Sequence, residues 1–218
     1  MSQTLRVGIA GLGTVGIGVL KVLRDHEQQL TERACRPIKV TAVSARDKAR
    51  DRGVDLSRLT WHGDARQLAV DDNVDVVIEL IGGADGIAKE LVDAAVKAGK
   101  HVVTANKALI AHHGTGLARS AEAKGVALAY EAAVAGGIPI IKALREGLAA
   151  NCVDRVYGIL NGTCNYILTD MASSGREFEV ILAEAQELGY AEADPSFDVD
   201  GIDAAHKLAI LAAVAFGT

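Results

Sequence analysis

The sequence has little of what stabilises small secreted proteins or anchors proteins in membranes. Its three cysteines, Cys35, Cys152 and Cys164, are scattered over 218 residues, which fits neither a disulfide framework nor a zinc site. The longest apolar run near the end, LAILAAVAFG, has ten residues, whereas a membrane helix needs about 20. The first residues lack the basic segment, apolar core and cleavage site of an export signal. These absences predict a cytoplasmic protein with no membrane partner.

An excess of basic residues is also missing. The chain has 23 Lys and Arg against 28 Asp and Glu, a net charge of −5. Nucleic acids usually select proteins with a basic face. The composition therefore predicts no nucleic-acid partner and favours small-molecule chemistry. With 50% hydrophobic residues, the chain is long enough for one large domain or two small ones.

Short apolar runs alternate with segments of helical period in the first part of the chain. Strands that are apolar on both faces, each followed by a helix, are typical of a parallel sheet covered on both sides. The pattern predicts an α/β fold with a doubly wound, Rossmann-type sheet. The predicted strands are 5–10, 38–44, 74–80, 101–105 and 126–132. The predicted helices run over 15–32, 86–98 and 114–124.

The alternation stops near Ile138, which predicts a domain at 1–138 and a second one at 139–218. With only three prolines and no low-complexity linker, the join is expected to be packed. Because the chain stops at AVAFGT directly after an apolar helix, the second domain is expected to be incomplete. Its predicted elements are a strand at 154–160 and helices at 139–150, 161–173, 177–188 and 201–216, an α+β arrangement.

The motif GLGTVG directly follows the first predicted strand and opens a helix. Gly11 would permit the tight turn, Gly13 the approach of a pyrophosphate, and Gly16 the packing of helix on strand. Thr14 and Val15 complete the loop, and the N–H groups of the helix start would face the phosphates. The motif predicts a dinucleotide-binding site, although a glycine-rich turn without a ligand would have the same pattern.

The end of the second strand bears on which dinucleotide binds. An acidic residue there would bind the ribose of NAD and repel the 2′-phosphate of NADP. Ser44 ends the strand instead, and AVSARDKAR continues with Arg46, Lys48 and Arg50. This basic segment admits NADP beside NAD and makes Arg46 a candidate for the 2′-phosphate. An ordinary solvated loop is the alternative.

Three further segments carry candidate chemistry. Lys107 in TANKALI follows the fourth strand, at the edge where parallel sheets place ligands, although a surface lysine would fit as well. EAAVAGGIPII begins at Glu131 and could turn main-chain carbonyls around a hard cation, or form a tight interdomain turn. LGYAEADPSFDVDGIDAAHK places Asp203 and Lys207 on one helical face, a spacing that an exposed ion pair shares.

The chain resembles the homoserine dehydrogenase family over nearly its whole length, through motifs in a shared order. These are GLGTVG, TANK, EAAVAGGIPII, GILNGTCNYIL and LGYAEADPSFDVDGIDAAHK. The resemblance implies an NAD(P)-binding domain joined to an α+β substrate domain that is only partly present. It implies an enzyme of threonine and methionine biosynthesis that interconverts aspartate 4-semialdehyde and homoserine. It also implies a homodimer of the full-length protein.

The resemblance further implies roles for individual residues. Lys207 would donate and accept the proton, Lys107 would be a second lysine beside substrate and cofactor, and Asp198 would support catalysis. Glu192 and Asp203 would bind the substrate, whose ammonium group calls for carboxylates. In addition, the resemblance implies that Gly189 touches the cofactor and that a sodium ion is held by Glu131 and the carbonyls of Val134, Gly136 and Ile138.

Two other functions remain open at this point. Cys164 could be the nucleophile of a phosphorylating semialdehyde dehydrogenase, but that chemistry needs a base close to the thiol. His206 is the only histidine after His113 in the sequence. The second alternative is a non-catalytic dinucleotide-binding module, since this fold also serves proteins that only bind.

Overall fold

The computed structural model describes residues 3–217. The chain forms two compact units, the first reaching to Gly137 and the second beginning at Ile138. The predicted division falls one residue later.

The first unit is built on a six-stranded sheet in which every neighbouring pair is parallel. The strand order is β3-β2-β1-β4-β5-β6, which reverses direction between β1 and β4. This confirms the predicted doubly wound sheet. The strands are β1 (Leu5–Ala10), β2 (Ile38–Ser44), β3 (Thr60–His62), β4 (Val76–Glu79), β5 (His101–Thr104) and β6 (Leu128–Ala129).

Four helices flank this sheet and bury its apolar side chains. Ile9 and Val43 on the strands, Leu20 on the first helix and Leu91 on the third are fully buried. Strands β1, β2 and β4 are therefore apolar on both faces, as a sheet covered on both sides requires. The helices are α1 (Thr14–Asp25), α2 (Glu27–Ala34), α3 (Ile87–Lys97) and α4 (Lys107–Lys124).

Several predicted elements of the first unit differ from the structure. The three-residue strand β3 was missed because its run is too short to show a period. The helix predicted over 15–32 breaks at His26, which separates α1 from α2. Helix α4 begins at Lys107 rather than 114, because the Asn106 side chain caps it. The strand predicted over 126–132 shrinks to β6, and Glu131–Ala133 is a 3-10 turn.

The second unit, as described over 138–217, consists of helices. The strand predicted over 154–160 is wrong: this segment has apolar and β-branched residues, but a strand also needs a hydrogen-bonded neighbour, and the described residues supply none. Tyr157 and Ile159 are accordingly 87% and 76% exposed. The helices are α5 (Ile140–Lys142), which continues into a π-helical turn (Ala143–Gly147), α6 (Gly162–Ser174), α7 (Phe178–Glu187), α8 (Ser196–Val199) and α9 (Ile202–Phe216).

The core of the second unit lies where α6 packs on α7. Ile167 and Ile181 are buried there with Ala185 and Ala191. The helix predicted over 139–150 is shorter than expected and largely π-helical. Within 3–217, no helix is both long and apolar enough to cross a membrane.

Candidate active site

The glycine loop of the first unit has the geometry of a phosphate cradle. Gly11 has φ +96°, and a Cβ added to it would overlap the carbonyl oxygen of Leu80. A Cβ on Gly16 would overlap the carbonyl oxygen of Gly11. A Cβ on Gly13 would meet no described atom within 4 Å, so this glycine leaves open space at the start of α1. The loop therefore fits a dinucleotide whose pyrophosphate approaches the main chain.

A cavity of about 410 Å³ adjoins this loop, and its charged lining residues are three basic ones and the acidic Asp51. Arg50 and Arg52 line it together with Lys21, whereas Arg46 is exposed in the bend after β2 and is not among its lining residues. The Arg52 guanidinium donates to the carbonyls of Asp47 and Arg50 at 2.5 and 2.8 Å and lies 5.3 Å from the centre of the Trp61 ring. Arg52 thus holds the basic segment beside the glycine loop.

A buried carboxylate organises the carboxyl ends of β4 and β5. Glu79 is 0% exposed, and its Oε1 accepts hydrogen bonds from the main-chain nitrogens of Ile81 and Gly82 at 2.7 and 3.0 Å. Its Oε2 accepts one from the Thr104 hydroxyl at 2.6 Å. The same hydroxyl accepts from the main-chain nitrogen of Asn106 at 2.9 Å. Sequence patterns did not predict Glu79 or Thr104.

Asn106 joins this network to Lys107. Its Oδ1 accepts from the Leu109 nitrogen at 3.0 Å, which caps α4, and its Nδ2 donates to the Gly83 carbonyl at 2.7 Å. Lys107 is the first residue of α4. The predicted lysine therefore starts a helix at the sheet edge where parallel sheets bind ligands.

The segment that contains the proposed cation ligands turns sharply. Val134 is buried and extended, Ala135 has φ +49°, and Gly137 has φ +90°. A carboxylate on Glu131 with main-chain carbonyls is an oxygen-only set, which suits a hard cation. In the second unit, the Ile138 carbonyl accepts from the Ile140 nitrogen at 2.8 Å. No group of three or more His, Cys, Asp or Glu that could hold a metal occurs within residues 3–217.

In the second unit, Lys207 is held by a buried carboxylate. Its Nζ donates to Asp203 Oδ2 at 2.6 Å and to the Leu160 carbonyl at 2.7 Å. Asp203 is only 3% exposed. The pair lies on one turn of α9, as its spacing predicts, but it is not an exposed ion pair.

A second carboxylate joins this pair through Asn161. Asn161 Nδ2 donates to Asp198 Oδ1 at 2.7 Å and to Asp203 Oδ2 at 2.9 Å, while its Oδ1 accepts from the Cys164 nitrogen at 2.8 Å and caps α6. The Thr163 hydroxyl lies 3.0 Å from Asp198 Oδ2. The sequence motifs did not indicate Asn161 or Thr163 as site residues, although an Asn immediately before a predicted helix indicates a cap.

The other two predicted residues of this unit lie in the turn after α7. Gly189 has φ +75°, and Glu192 is exposed, with its main-chain carbonyl accepting from the Gln186 side chain at 2.9 Å. The described contacts do not join the Glu192 carboxylate to Lys207. Asp203 and Asp198 are thus brought together with the lysine, and Glu192 is not.

The environment of Cys164 does not favour a nucleophilic thiolate. Burial raises the pKa of this thiol, and the negative charges of Asp198 and Asp203 raise it further. The Sγ atom lies 3.1 Å from the Asp198 carbonyl oxygen, to which it donates. His206 packs edge-on against the Phe197 ring, with centroids 5.7 Å apart. The alternative that uses Cys164 for acyl chemistry is therefore not supported.

The parallel sheet with its glycine cradle, followed by a unit with a lysine–carboxylate network, defines the class of NAD(P)-binding two-domain proteins. Residues 11–131 match the family described as the NAD binding domain of homoserine dehydrogenase, and residues 139–218 match the homoserine dehydrogenase family. Because the first match covers more than half of the chain, the chain belongs to the homoserine dehydrogenase family.

Individual relatives agree with this assignment. The homoserine dehydrogenase of Pseudomonas aeruginosa is 54% identical over 215 residues, which are 99% of this chain and 49% of that protein. The crystal structure from Thiobacillus denitrificans has a TM-score of 0.91 at 51% identity, with 99% of this chain and 49% of that chain covered. A hyperthermophilic archaeal homoserine dehydrogenase in complex with NADPH has a TM-score of 0.85 at 25% identity, covering 99% and 71%. The chain spans about half the length of the curated relatives it matches.

Proposed function

We propose that this chain carries the cofactor-binding and substrate-binding parts of an NAD(P)-dependent homoserine dehydrogenase, which interconverts L-aspartate 4-semialdehyde and L-homoserine. The observation that carries the proposal is the pairing of Lys207 with the buried carboxylate of Asp203. In an exposed helical ion pair both charged groups stay in water. Burial of the Asp203 carboxylate costs free energy, which a pair that only stabilises the helix would not require. The first unit would bind the cofactor and the second the substrate.

The chemistry needs a hydride, which a nicotinamide cofactor supplies when bound, and a proton. Lys207 would donate the proton to the alkoxide that forms from the aldehyde, and would take it back during homoserine oxidation. Asp203 and Glu192 would bind the substrate ammonium. Asp198 would support the lysine through Asn161, which donates to both carboxylates. Lys107 would assist at the carboxyl edge of the sheet.

For the cofactor, we propose that both NAD and NADP are accepted and that the basic segment after β2 favours NADP. The segment has no carboxylate directly after Ser44 to repel a 2′-phosphate. Arg46 is the original candidate, and Arg50 is a second one because it lines the cavity beside the glycine loop. The archaeal relative in complex with NADPH supports this choice. Thr14, Val15 and Gly189 would complete the contacts.

We also propose that a sodium ion binds to Glu131 and the carbonyls of Val134, Gly136 and Ile138. A crystal structure grown in sodium salt should show a spherical site with several oxygen ligands at about 2.3–2.6 Å, the range for a cation of this size. A water with tetrahedral hydrogen bonds in its place would contradict the proposal.

The full-length protein is proposed to be a cytoplasmic homodimer, as the family resemblance implies. Analytical ultracentrifugation of the full-length protein tests the dimer, and a monomer at micromolar concentration would contradict it.

The activity is tested by following NADPH oxidation with L-aspartate 4-semialdehyde, on both this chain and a version extended to the length of its relatives. We expect the extended version to turn over only when the semialdehyde is present. With NADP+ in place of NADPH, reduction of NADP+ by the semialdehyde that requires phosphate and yields an acyl phosphate would favour the Cys164 alternative. NADPH binding without turnover in the extended version would favour the non-catalytic module.

A further inference from the structure

The proposed reaction assigns no role to Glu79, although this carboxylate is fully buried at the carboxyl end of β4. A carboxylate away from water is costly unless hydrogen bonds compensate it. Glu79 accepts three such bonds, from Ile81, Gly82 and Thr104. All three donors lie at the carboxyl edge of the sheet, two of them directly after β4 and the third at the end of β5. The Glu79 carboxylate therefore stabilises the conformation of the segments at that edge.

One oxygen of Glu79 shapes the loop that follows β4. Gly82 and Gly83 have φ values of +87° and +85°, a region that glycine adopts freely, so this loop has little preference of its own. The hydrogen bonds to the nitrogens of Ile81 and Gly82 select one conformation. The Asn106 side chain holds the same loop through the Gly83 carbonyl.

The other oxygen of Glu79 shapes the turn that follows β5. It accepts from Thr104, whose hydroxyl in turn accepts from the Asn106 nitrogen. Asn106 then caps the helix that begins with Lys107. A single carboxylate thus fixes two adjacent loops and the start of α4.

These loops lie in the half of the sheet that contains β4, β5 and β6. The strand order reverses between β1 and β4, and each half of such a sheet binds one mononucleotide of a dinucleotide. The glycine loop follows β1, so the adenosine half falls to β1, β2 and β3, and the nicotinamide half falls to β4, β5 and β6. We propose that Glu79 is a positioning residue for the nicotinamide half, acting through the loop 81–83 and through Thr104 and Asn106. This inference rests on the proposed function that the first unit binds NAD(P).

The test compares whole dinucleotides with their adenosine halves in binding titrations of this chain. NADPH is paired with 2′,5′-ADP, and NADH with ADP. In Glu79→Gln, the amide oxygen can still accept from Ile81 and Gly82, but an NH2 group replaces the oxygen that accepts from the Thr104 hydroxyl, so this hydroxyl proton loses its acceptor. Thr104→Val breaks the same link from the other side, and Thr104→Ser restores the hydroxyl.

We expect Glu79→Gln and Thr104→Val each to raise the dissociation constant of NADPH or NADH about tenfold, as the loss of one buried hydrogen bond implies. The dissociation constants of 2′,5′-ADP and ADP should change less than about twofold, within the scatter of a neutral substitution. Thr104→Ser should bind like the wild type. A general loss of structure would affect all four ligands alike.

Asp75→Asn is the matched control, because Asp75 precedes the same strand at its opposite end. Its carboxylate also accepts three hydrogen bonds, all from Arg6, at 2.8, 3.0 and 2.5 Å. We expect this variant to lose thermal stability and to bind all four ligands as the wild type does.

The outcomes separate the inference from the proposed function. If the wild-type chain binds none of the four ligands, the proposed cofactor site is wrong. If the wild type binds them and Glu79→Gln weakens whole dinucleotides and halves equally, or weakens neither, the role of Glu79 is overturned. If Glu79→Gln does not fold, the pair Thr104→Val and Thr104→Ser decides, and unchanged NADPH binding by Thr104→Val overturns the inference.

Discussion

At the scale of single residues, Lys207 is distinguished by its partner rather than by its exposure. Asp203 is buried and shares its Oδ2 atom between Lys207 and Asn161. The Lys207 ammonium group therefore has a fixed position and orientation, whereas the ammonium group of a surface lysine moves on its flexible side chain. The i,i+4 spacing alone would not reveal this.

For a full-length version, we expect Lys207→Ala to lower kcat by about 10²–10⁴, the usual contribution of a positioned general acid, with NADPH affinity nearly unchanged. Lys207→Arg should not restore activity, because a guanidinium cannot give up its proton at any accessible pH. Steady-state kinetics and NADPH titration measure both.

Lys107→Ala is the comparison, since that lysine belongs to the first unit. If Lys107→Ala abolishes turnover and Lys207→Ala keeps it, the two roles are reversed. Unchanged kinetics in both variants would argue against the dehydrogenase reaction itself.

Alanine substitutions can distinguish the roles of Arg46 and Arg50 in cofactor binding. We expect Arg46→Ala to weaken NADP binding more than NAD binding, by about 1–3 kcal/mol for a charge-assisted contact. Calorimetric titration with both cofactors measures the difference. Arg50→Ala is the matched variant, because Arg50 lines the cavity beside the glycine loop and Arg46 does not. A selective loss in Arg50→Ala alone would move the role to Arg50, and equal losses for both cofactors would exclude Arg46.

At the scale of elements, the start of α6 combines a helix cap with a bridge between carboxylates. Asn161 uses its oxygen for the cap and its NH2 group for Asp198 and Asp203. One side chain therefore links the loop before α6 to α8 and α9. Sequence patterns show the cap, but they do not show the two acceptors 37 and 42 residues away.

Two substitutions separate the cap from the bridge. Asn161→Ser keeps a good cap and loses the bridge, so we expect a lower kcat in the full-length protein and a stability loss limited to that of the two hydrogen bonds to the carboxylates. Asn161→Ala loses both, and should also reduce the free energy of unfolding by about 0.5–2 kcal/mol, the range for a lost cap. Urea unfolding and steady-state kinetics give the two quantities. Wild-type turnover in Asn161→Ser would show that the bridge has no role in catalysis.

At the scale of the whole molecule, the ion pair of Arg6 with Asp75 ties the start of β1 to the start of β4. The Arg6 side chain donates to Asp75, and this hydrogen bond holds the pKa of the carboxyl below its ordinary value. A carboxyl whose pKa is lowered by folding stabilises the fold above its unfolded pKa, about 3.9. That contribution disappears as the pH falls through the folded pKa.

We therefore expect the wild type to be more stable than Asp75→Asn above about pH 5, with a difference that shrinks below about pH 4. Urea unfolding of both proteins between pH 3 and pH 8 measures it. Asp64→Asn is a useful comparison, since Asp64 is also paired with an arginine, but the Arg66 side chain is more exposed than that of Arg6, 52% against 31%, and more exposed pairs contribute less. A stability difference between wild type and Asp75→Asn that stays constant down to pH 3 would contradict the assignment.

The sequence by itself determined the features that depend on local order along the chain. The apolar runs predicted β1, β2 and β4, because a strand buried on both faces must be apolar throughout. The run HVVTA also predicted β5, which is buried on one face. The spacing of Gly11, Gly13 and Gly16 predicted the glycine turn before α1, because Gly16 packs on the carbonyl of Gly11 within the same loop. The close approach of Leu80 to Gly11 is not visible in that spacing. The i,i+4 spacing placed Asp203 and Lys207 together because a helix fixes that distance.

The tertiary structure decided what depends on residues far apart in the chain. The segment 154–160 has residues that favour a strand, yet no described neighbour pairs with it, because pairing is not encoded within the segment. Arg50 rather than Arg46 lines the cavity because the path of the loop sets the direction of each side chain. Glu79 and Thr104 lie 25 positions apart and meet only because β4 and β5 are adjacent. Hydrogen bonds of this kind arise from packing, which no local period contains.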